Sequence, residues 1–86
     1  MTMQLRKQDL EWREIASDIV ILNALDASYL TLNGSGALLW RMLATSTTRD
    51  QMVTALLDAY DVEESVAAAD TDAFLQTLSE QGLLAR

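Results

Sequence analysis

The order of strand-like and helix-like stretches along the chain constrains its fold most. Residues 1–41 are rich in the β-branched and aromatic residues that favour strands, whereas residues 42–86 are rich in Ala, Leu, Asp and Glu. No Pro occurs, and glycine occurs only at positions 34, 36 and 82, so no linker separates the two parts. Strands first and helices afterwards predict one α+β domain over residues 1–86, in which we expect residues 1–10 to be flexible.

Three short strands are predicted in the first part of the chain, over residues 12–16, 19–22 and 29–32. The second strand reads Ile-Val-Ile-Leu and is apolar on both faces, which predicts that it is the central and best-covered strand. The third strand alternates leucines with Tyr29 and Thr31. The short connections between the strands predict a three-stranded antiparallel sheet.

Three helices are predicted after the strands. Asn33 suits the N-cap of the first helix, and Thr48 with Gln51 fits a capping box at the start of the second. The third helix is predicted over residues 65–81, because Gly82 suits the position just past a helix end.

The last predicted helix has two distinct faces. At helical spacing, its apolar stripe consists of Ala67, Thr71, Phe74, Leu75 and Leu78. A second face carries Val66, Asp70, Ala73 and Thr77. We interpret Trp40, Phe74 and Tyr60 as core residues rather than as a ligand-binding aromatic box, because most large aromatic residues of a small domain are needed for its core.

Several chemistries are excluded by residues that the chain lacks. It has no His and no Cys, which excludes disulfides, thiol nucleophiles, zinc fingers and imidazole general bases. Asp70 and Asp72 lie two positions apart on a predicted helix, so their side chains point roughly 200° apart and cannot share a proton or a metal. Residues 33–36 lack the third glycine of a dinucleotide fingerprint and the Lys of a P-loop. We therefore expect no catalytic residue, no metal and no cofactor.

Charge and hydropathy bear on partners and location. The 13 acidic residues outnumber the 6 basic ones, and residues 63–81 contain no Lys or Arg. Three strands with three helices also permit a winged helix-turn-helix, the architecture of many DNA-binding regulators. Its recognition helix would be the third helix, whose acidic side chains DNA phosphates would repel. A DNA-binding regulator is the alternative hypothesis to a small acidic binding module. No apolar run exceeds four residues, so we expect no membrane segment and a cytoplasmic protein.

The edge of the predicted sheet suggests a peptide-binding groove. If the third strand lies at the edge, its unpaired backbone groups can accept an added peptide strand. The last helix would form the other wall, pockets between Leu30, Leu32 and Phe74 would select apolar anchors, and Asp70 would favour basic or hydrogen-bond-donating groups. An ordinary blunted edge is one alternative, and pairing with another copy in a homodimer is a second.

An ordered set of motifs resembles the PqqD family. The set comprises Trp-x-Glu-Ile at residues 12–15, an apolar strand at 18–22, Tyr-x-x-Leu-Asn at 29–33, Gly-x-Gly-Ala-x-x-Trp at 34–40, Tyr-Asp-Val at 60–62, Asp-x-x-x-Phe-Leu at 70–75 and Gly-Leu-Leu at 82–84. The resemblance covers nearly the whole chain. One departure is Thr71, at a position where the family usually has an aliphatic residue.

The resemblance implies a winged-helix-like fold that acts as a RiPP recognition element. Members of the family deliver the leader region of a ribosomally made precursor peptide to a maturation enzyme. That enzyme is a radical SAM protein in pyrroloquinoline quinone synthesis and a leader peptidase in lasso peptide pathways. The leader adds as a strand to the third strand beside the third helix. The peptide-binding residues that follow, partly from the motif and partly from the face assignment, are Tyr29, Leu30, Thr31, Leu32, Val66, Asp70, Ala73, Phe74 and Thr77.

Overall fold

The computed structural model describes residues 2–85, so the predicted domain extends one residue beyond it at each end. The elements in chain order are β1 (Leu10–Ile15), β2 (Asp18–Asn23), β3 (Ser28–Leu32), α1 (Gly34–Thr45), α2 (Arg49–Ala59) and α3 (Glu64–Glu80). This is the predicted α+β fold, a three-stranded antiparallel sheet followed by three helices. The predicted strand bounds, the predicted helix starts and the predicted end of the third helix differ from the observed ones by two residues or fewer.

The sheet has the order β1-β2-β3, and both pairs of neighbours are antiparallel. β2 is the central strand, as predicted, and its Ile19 and Ile21 are fully buried beneath the helices. Val20 and Leu22 on the opposite face are only half-buried. The prediction that β2 is the best-covered strand therefore holds only for the face of the sheet that the helices cover.

Trp40 of α1 is at the centre of the core. Its side chain is fully buried, and its ring packs edge-to-face on the half-buried ring of Trp12 of β1, with centroids 6.1 Å apart. Phe74 is half-buried against the same core, whereas Tyr60 is 41% exposed. The interpretation of Tyr60 as a core residue was wrong, because it is the C-cap of α2, where the chain leaves the packed helix surface.

The helix ends show how far local signals decide the fold. At α2, Thr48 Oγ1 accepts a hydrogen bond from the Gln51 backbone N–H at 3.1 Å, and Gln51 Oε1 accepts one from the Thr48 N–H at 3.0 Å. This confirms the predicted capping box. α3 ends before Gly82, whose φ of 71° is the left-handed conformation that glycine adopts easily. Asn33 is the N-cap of α1, but within the described chain its side chain makes no capping hydrogen bond.

The N-terminal segment packs against the C-terminal one. Leu5 is 6% exposed and forms an isolated antiparallel bridge with Leu84, and Met3 forms another with Thr47. Arg6 donates from Nη1 to the carbonyl oxygen of Gly82 at 2.6 Å. The flexibility of residues 1–10 stays a prediction, but Leu5 is part of the core and not of a solvated tail.

Candidate functional site

β3 has one unpaired edge. It pairs with β2 on one side, and within the part of the chain that the structure describes no strand pairs with it on the other. The β1–β2 hairpin has a two-residue loop closed by the pair Ile15 and Asp18, and such a loop closes on a hydrogen-bonded pair. Hydrogen-bonded pairs alternate along antiparallel strands, so every second residue of β2 from Asp18 bonds to β1, and Ile19 and Ile21 bond to β3 instead. Their partners on β3 are Leu32 and Leu30. The backbone N–H and C=O groups of the alternate residues, Tyr29 and Thr31, therefore point towards the free edge.

α3 comes close to β3 at Phe74, which lies beside Gly36 together with Leu32 of β3. The side chains predicted to share its open face are all exposed; they are Val66, Asp70, Ala73 and Thr77. The predicted apolar stripe is turned inwards, with Ala67, Thr71 and Leu78 fully buried. The 3.6-residue period of the sequence therefore predicted correctly which side of this helix is open.

Gly36 lies between the strand and the helix. A Cβ atom placed on it would be 3.5 Å from Cδ2 of Leu32 and 3.7 Å from Cε1 of Phe74. The side chains of Leu32 and Phe74 therefore both lie beside Gly36 at the first turn of α1, and we call the space bounded by β3, α3 and Gly36 the groove. Its walls are apolar at these two residues.

The predicted strand residues divide between the two faces of the sheet. Leu30 and Leu32 are half-buried on the helix side, where they are paired with the buried Ile21 and Ile19. Tyr29, which is 72% exposed, and Thr31 lie on the opposite face. The groove thus combines the side chains of the two leucines with the backbone of Tyr29 and Thr31.

Gly36 was not among the predicted site residues. The signal that could have identified it is its place within the first turn of a helix. Glycine is a poor helix former there and no unusual backbone conformation requires it, since its φ lies outside the positive range.

Two acidic residues of α3, Asp70 and Asp72, differ in their surroundings. Asp72 accepts two hydrogen bonds from Arg49, from Nε at 2.6 Å and from Nη2 at 2.9 Å. These hydrogen bonds lower the pKa of Asp72 and raise the pKa of Arg49. Asp70 is exposed, and its place on the groove side stays a prediction. The predicted separation of these carboxylates is confirmed, since Asp72 is directed to α2.

Two further features lie outside the groove. The face of the sheet opposite the helices holds a cleft of about 210 Å³. Its lining residues are Glu11, Trp12, Arg13, Ile15, Val20, Leu22 and Tyr29. At the β2–β3 turn, hydrogen bonds from Ser28 lower the pKa of Asp26. Among residues 2–85 there is no group of three or more Asp and Glu side chains arranged to hold a metal ion, and no helix is long and apolar enough to cross a membrane.

Comparison with known proteins places these features in a family. The family described as Coenzyme PQQ synthesis protein D (PqqD) matches residues 18–84. None of the curated proteins compared with the chain matches it. Two solved structures share its fold. TbiB1 in complex with the TbiA(beta) leader peptide is 23% identical, with 95% of this chain and 94% of that chain covered and a TM-score of 0.87. Lasso peptide synthetase B1 complexed with the leader peptide is 24% identical, with 98% of each chain covered and a TM-score of 0.85.

Proposed function

Because the chain belongs to the PqqD family, we propose that it is a non-catalytic module that binds the leader region of a ribosomally made precursor peptide. The leader adds as a strand to β3 beside α3, and the complex is presented to a maturation enzyme. The observation that carries this proposal is that, within the described residues, one edge of β3 is unpaired close to α3, whose Phe74 lies with Leu32 beside Gly36. Two solved structures of the same fold are complexes with leader peptides, which supports it.

Main-chain pairing supplies the affinity in this arrangement. The outward N–H and C=O groups of Tyr29 and Thr31 can exchange up to four hydrogen bonds with an extended peptide. Such bonds do not depend on the peptide's side chains, so specificity must come from the residues that the peptide directs towards the groove. Those residues meet Leu30 and Leu32 on one side and Val66, Asp70, Ala73, Phe74 and Thr77 on the other.

The charge of the helix wall indicates which leaders fit. Asp70 is exposed and is predicted to face the groove, and α3 carries four acidic residues without any Lys or Arg. A leader with a basic or hydrogen-bond-donating residue beside the apolar anchors is favoured, whereas an acidic one is repelled. The same charge opposes the DNA-binding alternative, which no feature of the groove favours.

The maturation enzyme belongs to one of two classes within this proposal. A radical SAM enzyme and a leader peptidase both act on precursors that a separate recognition protein delivers. Pull-down from native lysate followed by mass spectrometry identifies the enzyme and the precursor together. A homodimer formed through the β3 edge would compete with the leader, and sedimentation with and without peptide distinguishes the two uses of that edge.

Fluorescence anisotropy with labelled leader peptides from the same gene cluster tests the binding. We expect saturable binding by the wild-type chain and binding about tenfold weaker after Thr31→Pro, because proline removes one outward N–H and its ring crowds the edge. Thr31→Val is the matched control, since it keeps the N–H and the side-chain shape. Circular dichroism verifies that both variants fold. If no leader binds at tens of micromolar, the proposed function is wrong.

A further inference from the structure

The backbone conformation at position 36 does not require glycine. Gly36 is the third residue of α1, its φ lies outside the positive range, and its own position is half-buried. Alanine favours a helix more than glycine does, so helix stability alone would favour alanine at this position. A methyl group added there would be in ordinary van der Waals contact with Leu32 and Phe74 and would clash with neither. The absent side chain therefore leaves an apolar gap of about the size of one methyl group beside Leu32 and Phe74, at the floor of the groove.

The sheet register determines which part of a bound peptide lies over this gap. Thr31 directs its backbone groups to the free edge, so a strand added antiparallel to β3 forms its hydrogen-bonded pair there. The neighbouring peptide residue, opposite Leu32, belongs to a non-hydrogen-bonded pair, in which side chains approach most closely. Residues directly opposite each other share a face of the sheet, so this side chain points to the helix side, as Leu32 does.

We infer that Gly36 is a specificity-determining residue that sets the size of the peptide side chain bound opposite Leu32. The end of one large apolar side chain of the leader, aliphatic or aromatic, enters the methyl-sized gap above Gly36 and contacts Leu32 and Phe74. This inference rests on the proposed function, because it requires strand addition to β3. Main-chain hydrogen bonds are the same for every leader, so they cannot distinguish one leader from another. The inference assigns that discrimination to one position in the groove.

Filling the gap should change the preferred peptide without harming the fold. In Gly36→Ala the added methyl occupies the floor, so a large anchor must withdraw from Leu32 and Phe74 by about the size of one methyl group. One methyl or methylene in an apolar pocket changes discrimination by about tenfold or more. We therefore expect Gly36→Ala to bind a leader with a large anchor about tenfold more weakly and to bind one with a smaller anchor equally well or better.

A display experiment with random peptides tests this inference, because it does not require the natural leader. A library of random 12-residue peptides is selected on immobilised wild-type chain, Gly36→Ala and Gly36→Val, and the enriched peptides are sequenced. Ser35→Ala is the matched control, because it changes the adjacent, exposed residue of the same helical turn. The melting temperature of each variant is measured, and that of Gly36→Ala is expected to equal or exceed the wild-type value.

The outcomes separate the inference from the proposed function. Wild type and Ser35→Ala should enrich a large apolar residue at one position, and Gly36→Ala and then Gly36→Val should shift that position to progressively smaller residues. An unchanged preference in a folded Gly36→Ala overturns the inference and leaves strand binding intact. If the Gly36 variants bind all peptides more weakly, without a shift in the preferred side-chain size, the inference is also overturned. Gly36 would then be needed for the structure of the groove and not for the choice of side chain. Absence of any enriched peptide with wild type contradicts the proposed function itself.

Discussion

Replacing Thr71 by valine is expected to stabilise the protein. Thr71 lies in the middle of α3 with its side chain fully buried between the helix and the core. Among the residues that the structure describes, its Oγ1 has no hydrogen-bond partner. A buried hydroxyl without a partner has lost its hydrogen bonds to water and gained none in return. Valine has the same branched shape and carries a methyl group in place of the hydroxyl.

The size of the effect follows from this burial. Leaving a buried polar group unpaired costs about 1–3 kcal/mol, and replacing it by an apolar group of the same shape removes that cost. Helix propensity changes little, because threonine and valine are both β-branched. We expect the free energy of unfolding to rise by about 1 kcal/mol, which for a domain of this size raises the melting temperature by about 4–8 °C.

Urea unfolding followed by circular dichroism measures the change. The midpoint should rise while the slope of free energy against urea stays constant. Thr54→Val on the exposed surface of α2 is the control and should change stability by less than about 0.5 kcal/mol. Thr71→Ser, which keeps the hydroxyl and removes the methyl, should lose about 1 kcal/mol. A loss of stability in Thr71→Val would refute the reasoning, since it would mean that the hydroxyl has a hydrogen-bond partner such as a buried water.

Three further predictions concern the fold. Leu5→Ala should lower the free energy of unfolding by about 2–5 kcal/mol, while the exposed Leu25→Ala changes it by less than about 0.5 kcal/mol; equal effects in urea unfolding would show that the N-terminal segment is not part of the core. Because hydrogen bonds from Arg49 lower the pKa of Asp72 in the folded state, the ion pair contributes stability above the ordinary value of 3.8 and loses it as the pH falls through the lowered value. The stability difference between wild type and Asp72→Asn should therefore be present at neutral pH and vanish in strong acid, and a difference of the same size at about pH 2 would contradict this. Thr48→Ala should cost about 1 kcal/mol in thermal unfolding through loss of the capping box, and no loss would mean that the cap is frayed.

Periodic patterns predicted most of the fold and the open face of α3. Strands and amphipathic helices repeat their polarity at fixed spacing, so Asp70 and Ala73 could be assigned to one face from the sequence alone. Leu5 could not be assigned to the core, because it lies in an irregular segment whose packing depends on the distant Leu84. Gly36 was missed for a related reason. A gap is a property of the residues around it, here Leu32 and Phe74, and no local pattern records how closely two distant side chains approach.

The bridge between Leu5 and Leu84 has a consequence for the synthesis of the chain. The ribosome adds the sheet and all three helices before residues 83 and 84, yet Leu83 is almost fully buried and Leu84 pairs with Leu5. A nascent chain therefore exposes part of its core until this stretch has emerged. Leu5 therefore has no strand partner until α3 has been synthesised, so the core of this domain is completed only after all of its helices.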